Sequence, residues 1–223
     1  MHLPWHELDC VLLDMDGTLL DLNFDNHFWQ EHVPLRYAEA RELTLQEAHA
    51  EMQQRYSGHA ATLAWYSVDF WQSELDLDIM HLKEEVAHLI AVHPHVTDFL
   101  SALRGAGKQI VLVTNAHQKS LALKMRRTGL ESYFDTLISA HELGLPKEDS
   151  AFWELLRGRI PFEPARTLLV DDNVSVLDSA MAYGIAQLVA VTRPDTKRPH
   201  TVGGAYPGIV DFGELLPGLR KTG

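Results

Sequence analysis

Apolar and polar positions along this chain fall into two regimes. Residues 10–13, 109–113, 135–138, 167–170 and 187–191 are short apolar-rich runs with little polar alternation, as strands buried on both faces of a parallel sheet require. Helical stripes separate them. Val96, Phe99, Leu100 and Leu103 form one, stopped by Gly105-Ala106-Gly107; Leu121 and Met125 mark a second over 117–128, closed by Gly129. A third covers 149–158. The fourth, 174–183, presents Val174, Leu177 and Met181 to the sheet and ends at Gly184. This alternation predicts an α/β fold with a right-handed, doubly wound parallel sheet. The Pro- and Gly-rich stretch 193–208 reads as a surface loop, and 209–212 as a short edge strand.

Between the first and second strands the period changes. Residues 23–93 carry helical spacings only: Phe24 and Phe28; Leu45, Ala48 and Met52; Leu63, Tyr66 and Phe70. Thr44 with Glu47 matches a capping box. The segment holds three of the five tryptophans (Trp29, Trp65, Trp71), enough for a small core of its own. The expected organisation is a core of residues 1–22 and 94–223 with an inserted all-helical cap, 23–93.

Composition narrows the function. Hydrophobic content of 46% and charged content of 22% are those of an ordinary soluble domain. A net charge of −12 argues against a binder of nucleic acid polymers, yet leaves room for a small phosphorylated ligand at a local cationic site. One cysteine, Cys10, sits in a predicted buried strand; no intrachain disulfide can form, and a reducing cytoplasm fits. No stretch suits a bilayer span, and the opening residues lack a cationic leader with an apolar run behind it. A soluble cytoplasmic protein with no membrane partner is expected.

Three predicted strands end in polar groups: Asp14 and Asp16, Thr114 and Asn115, Asp171 and Asp172. Lys147, in a loop behind Gly144-Leu145-Pro146, joins them. Strand carboxyl ends border the ligand crevice in open α/β sheets, so these groups converge there. Four carboxylates in one crevice repel unless a cation intervenes, and an oxygen-only donor set favours Mg²⁺. Thr114, Asn115 and Lys147 supply the hydroxyl, amide and ammonium donors that a phosphoryl group needs.

The pattern Asp14-Met15-Asp16-Gly17-Thr18, then Thr114-Asn115, Lys147 and Asp171-Asp172, resembles the four motifs of the haloacid dehalogenase-like phosphatase superfamily in order and spacing, over the whole chain. The resemblance implies a Mg²⁺-dependent phosphomonoesterase. Asp14 would be the nucleophile that becomes an aspartyl phosphate, and Asp16 the general acid and base. Thr114, Asn115 and Lys147 would bind the phosphoryl group. Asp14, the Asp16 backbone carbonyl and Asp172 would hold the metal, with Asp171 acting through water. Dehalogenases of the superfamily lack the second aspartate, so Asp16 points to phosphate chemistry. The run 13–29, with Thr114-Asn115-Ala116-His117 and Gly144 through Asp149, is further similar to the bacterial GMP/IMP nucleotidases. It implies hydrolysis of purine nucleoside 5'-monophosphates. Rival expectations are a phosphatase for another small metabolite such as phosphoglycolate, a sugar phosphomutase, or a non-catalytic aspartate-phosphorylated receiver; the large helical insertion counts against the last.

Other candidates have plainer readings. Asn23, Phe24 and Trp29 follow the first motif and are the candidates for substrate specificity. The aromatics Trp29, Trp65, Tyr66, Phe70 and Trp71 lie at helical spacing and are expected mostly in a core. Lys119, Lys124, Arg126 and Arg127 read as a solvated helix face. Thirteen histidines yield no ligand pair at metal spacing; His117 and His141 follow motif segments, near the crevice.

Overall fold

Strand β1 (Cys10–Leu13) is buried at every position and lies at the centre of a parallel sheet of six strands, ordered β3-β2-β1-β4-β5-β6. The computed structural model describes residues 3–60 and 62–219. The other strands are β2 (Gln109–Thr114), β3 (Thr136–Ser139), β4 (Thr167–Asp171), β5 (Gln187–Val191) and β6 (Gly208–Ile209). Val11 pairs with Ile110 of β2 on one side and Leu168 of β4 on the other. Side chains two apart share a face, so each strand feeds two cores. Val11, Leu13, Ile110, Leu112, Leu168 and Val170 pack with helices α7 (Val96–Gly105), α8 (Gln118–Thr128) and α11 (Leu216–Leu219). Cys10, Leu12, Val111, Val113 and Leu169 pack on the opposite face with α9 (Phe152–Arg159) and α10 (Val174–Tyr183).

Six α-helices stand between β1 and α7. They are α1 (Asn23–His27), which runs through a π turn into α2 (Val33–Arg41), then α3 (Leu45–Tyr56), α4 (Leu63–Tyr66), α5 (Val68–Leu75) and α6 (Ile79–Glu85). They share a third core built on Phe24, Phe28, Met52, Trp71 and Ile79. The Thr44–Glu47 capping box forms as its residues require, with Thr44 Oγ1 accepting from the Glu47 amide. The chain returns to the sheet where Val92 bridges Leu20 antiparallel and the His93 amide donates to the Leu19 carbonyl at 2.9 Å. Among the described residues no helix is long and apolar enough to cross a membrane.

Four local expectations are corrected. The stripe Leu63, Tyr66, Phe70 does not belong to one helix. Ser67 takes an extended backbone and its hydroxyl accepts from the Phe70 amide, so α4 stops and α5 starts there. On α10 the buried face is Val176, Leu177 and Ala180, while Met181 is 57% exposed. The last strand covers only Gly208–Ile209, because Asp211 caps a 3₁₀ turn at Phe212–Glu214 and lifts the chain off the sheet edge. The loop 193–208 is not merely a surface excursion. Its Asp195 is buried and accepts from Asn26 Nδ2 of α1 at 2.7 Å, Thr196 Oγ1 donates to Asp21, and the Pro194 carbonyl accepts from the Leu22 amide at 2.8 Å.

Candidate active site

Sheet order alone assembles the motifs. β1 lies between β2 and β4 and runs parallel to both, so Asp14, Thr114 and Asp171 lie together at the carboxyl ends of neighbouring strands. The Asp14 amide continues the ladder to the Val170 carbonyl at 3.1 Å. Gly17 then turns the chain at φ +84°, a conformation side chains other than glycine's resist. A Cβ on Gly17 would also meet Asp172 Oδ2 at 2.5 Å. The glycine therefore gives the Asp172 carboxylate its space beside the first motif.

Lys147 is the central cation. Its ammonium donates to Asp14 Oδ1 at 2.5 Å, Asp171 Oδ2 at 2.7 Å and the Val113 carbonyl at 3.1 Å. All three N–H donors are thus engaged. Burial depresses its basicity, but Asp14 and Asp171 outweigh that and hold its pKa above the ordinary value. Asn115 fixes the loop carrying it: Oδ1 accepts the Lys147 amide at 2.9 Å and Nδ2 donates to Glu148 at 2.8 Å. Glu148 also accepts from Asn173 Nδ2 at 3.2 Å and from the Tyr66 hydroxyl of α4 at 3.0 Å. Asn115 thus positions Lys147 through its amide oxygen, and Thr114 Oγ1 accepts from the Ala116 amide at 3.0 Å and keeps its proton to donate.

The carboxylates are poorly neutralised. One ligand oxygen each from Asp14, Asp171 and Asp172 lies within 4.8 Å of the others. Burial raises the Asp14 pKa to about 6, with Lys147 opposing and Asp171 adding to the rise. Asp172 is raised well above the carboxylate range by burial and by Asp14 and Asp171, and it makes no ion pair among the described residues. Asp171 already holds Lys147 through Oδ2 and the Asn173 amide through Oδ1, at 2.9 Å. Three carboxylates beside one ammonium that pairs with only two of them leave charge that a small divalent cation balances, so the donor set fits Mg²⁺.

Asp16 stands apart from that cluster. Its Oδ1 accepts from Lys124 Nζ at 2.6 Å, and burial, aided by Asp25 and Asp14, raises its pKa to about 7 against the pull of Lys124. Lys124 is the clearest departure from the sequence reading. It is 1% exposed, because α8 is covered by the sheet on one face and by the cap helices on the other. It also donates to Asp25 Oδ2 at 2.7 Å, and Asp25 accepts from the buried Lys83 of α6 at 3.3 Å. Its sequence signal was its place one residue before Met125, beside the apolar stripe.

One cavity of about 480 Å³ collects these groups, a size suited to a small ligand. Asp14, Asp16, Thr114, Asn115, Lys147, Asp171 and Asp172 line its floor; Trp29, Tyr56, Trp65 and Tyr66 line it from the cap side. Three of the five aromatics expected mostly in a core thus face the cavity, while Trp71 is the buried one, donating through Nε1 to the Trp65 carbonyl at 2.8 Å. Asn23 and Phe24 are not among the lining residues. Phe24 is packed inside the cap core, stacked on Phe28 with ring centroids 6.3 Å apart, and the Asn23 backbone N–H donates to Asp21 Oδ1 at 3.0 Å. His117 and His141 meet edge to face at 4.9 Å outside the cavity lining.

Comparison with known proteins agrees with this geometry. A family model described as haloacid dehalogenase-like hydrolase matches residues 8–184. The GMP/IMP nucleotidase YrfG of Escherichia coli (strain K12) is 40% identical over 219 residues, 98% of this chain and 99% of that protein. The (S)-2-haloacid dehalogenase 2 of Pseudomonas sp. (strain CBS-3) is 24% identical, over 92% of this chain and 97% of its own. Among solved structures, a HAD phosphatase from Thermococcus onnurineus superposes with a TM-score of 0.77 at 24% identity, covering 93% of this chain and 96% of its own.

Proposed function

This chain belongs to the haloacid dehalogenase-like hydrolase family and is a phosphoric monoester hydrolase, and we propose that it hydrolyses purine nucleoside 5'-monophosphates of the GMP and IMP type. The observation that carries the reaction is the cluster of Asp14, Asp171 and Asp172, the first two paired with Lys147, lining a substrate-sized cavity. The substrate class rests on the 40% identity to a GMP/IMP nucleotidase along nearly the full chain. The aromatic wall of Trp29, Tyr56 and Trp65 supports it, since a purine has the flat apolar face such rings accept.

In the proposed reaction, an Asp14 carboxylate oxygen attacks phosphorus and the bond from phosphorus to the ester oxygen breaks. Asp16 gives its proton to that oxygen, so the nucleoside leaves as an alcohol. Water then attacks the aspartyl phosphate, passing a proton back to Asp16, and phosphate departs with the Asp14 carboxylate restored. Lys147 holds Asp14 in place and sets its positive charge beside the phosphoryl group, while the Thr114 hydroxyl offers a donor to a phosphoryl oxygen. Asp14, Asp172 and the Asp16 backbone carbonyl are the proposed magnesium ligands, with Asp171 acting through water. When bound, the ion would neutralise phosphoryl charge and orient the group for in-line attack. The cap, proposed as residues 23–93, closes over the cavity and excludes bulk water. With a single buried thiol at Cys10, the cytoplasm is its proposed place of action.

Phosphate release from a panel of nucleotides, sugar phosphates and phosphoglycolate, with and without Mg²⁺, tests this reading. GMP and IMP should lead the panel, and chelation should abolish turnover. Asp14→Asn should eliminate activity with the fold intact, and Asp16→Asn should let a phosphorylated protein accumulate from an activated ester. Preference for phosphoglycolate, or turnover that survives Asp14→Asn, would overturn it.

A further inference from the structure

The reaction as described leaves unused a buried charge, Lys124, that lies behind the cavity lining and pairs with Asp16. Lys124 comes from α8 of the core, and Asp25 and Lys83 come from α1 and α6 of the cap. With Asp16 they form a run of alternating charge from the reaction centre into the cap: Asp16 to Lys124 at 2.6 Å, Lys124 to Asp25 at 2.7 Å, Asp25 to Lys83 at 3.3 Å. Both lysines are nearly sealed from solvent. Apolar side chains of similar volume would hold α1 against α8 at least as well, since paired buried charges seldom repay their desolvation. The charge therefore calls for a role other than adhesion.

Geometry supplies one. Lys124 occupies Asp16 Oδ1, and among the described residues no hydrogen bond engages Oδ2. The carboxyl group is thus pinned by one oxygen while the other remains available on the cavity side, where Asp16 is a lining residue. Lys124 is itself pinned by Asp25, which sits on a cap helix.

We propose that Lys124 is a positioning residue that aims the Asp16 carboxyl at the leaving oxygen, and that Asp25 makes this aim depend on α1 being seated on α8. The proposal rests on the reading of Asp16 as the proton donor. The step it governs is the transfer of the Asp16 proton to the ester oxygen as that oxygen parts from phosphorus. An ester whose leaving oxygen is already stable as an anion needs no such proton.

The test compares GMP with dinitrophenyl phosphate, using the Mg²⁺-loaded full chain. Lys124→Met should lower kcat/KM for GMP about a hundredfold, within the range of a general acid, and leave dinitrophenyl phosphate nearly unchanged. Asp25→Asn keeps the cation and should show the same selectivity at about tenfold, so it decides the matter if Lys124→Met does not fold. Lys124→Arg should restore most of the GMP activity. Equal losses on both substrates, or none on GMP, overturn the positioning role. Asp16→Asn, measured alongside, should show the steepest selectivity; if it does so while Lys124→Met and Asp25→Asn do not, only the role of Lys124 falls. A flat response in Asp16→Asn removes the reading of Asp16 and the proposal with it.

Discussion

At the scale of single residues, the first motif works as much through its glycine as through its aspartates. Gly17 combines φ +84° with an Asp172 carboxylate 2.5 Å from where a Cβ would stand. Gly17→Ala should carry about 1–3 kcal/mol of backbone strain and push Asp172 aside. The expected outcome is a higher Mg²⁺ concentration at half-maximal activity, read by metal titration of phosphate release. An unchanged midpoint would show that Asp172 is not a metal ligand. Lys124 teaches the complementary lesson. Its spacing on α8 allows a solvated face, and only the cap helices packed over that face turn it into a buried partner of Asp16. Cys10 was legible as a core thiol, and burial does push its pKa up to about 12.

At the scale of elements, strands and caps were legible where one local rule sufficed. The runs 10–13 and 187–191 and the Thr44–Glu47 capping box needed no distant information. Helix phase was harder. Positions 174, 176, 177, 180 and 181 are all apolar, so α10 could turn either of two stripes to the sheet, and packing against β4 and β5 selected Val176, Leu177 and Ala180. Trp71 on α5 links the cap core to the cavity, since its indole N–H holds the Trp65 carbonyl. Trp71→Ala removes a fully buried ring and should cost about 3–5 kcal/mol, measured by urea denaturation. It should also raise KM for a nucleotide, because Trp65 loses its anchor on the cavity wall.

At the scale of the whole molecule, the inserted helices meet the sheet-bearing core through charged and polar pairs. Lys119 holds Asp69 at 2.5 Å, Arg126 holds Glu84 at 2.8 Å, and Tyr66 reaches Glu148. His117 sits in the same seam, 3.7 Å from Asp69, and its ring abuts His141. Burial, with His117 beside it, pushes the His141 pKa down to about 4, and its Nε2 is buried without a hydrogen-bond partner. The unfolded chain therefore takes up this proton first. Stability from a neutral His141 is complete above about pH 6.5 and is lost as pH falls toward about 4, by about 1–2 kcal/mol once screening of the half-buried ring is counted. His141→Gln should flatten that part of the profile, as urea midpoints at pH 7 and pH 5 would show.

By itself the sequence determined the layered α/β architecture, the helical insertion and the list of strand-end groups, because each follows from short-range periodicity or a spacing of a few residues. The tertiary structure decided which charges are buried and with whom. Asp16, Asp25, Lys83 and Lys124 lie up to 108 positions apart and become neighbours only when the cap helices cover α8. The same holds for the cavity's aromatic wall, where the cap core claimed Trp71 and Phe24 and left Trp29, Trp65 and Tyr66 to the ligand side. Periodicity says that a side chain is apolar or charged on a given face; only the element packed against that face says what it touches.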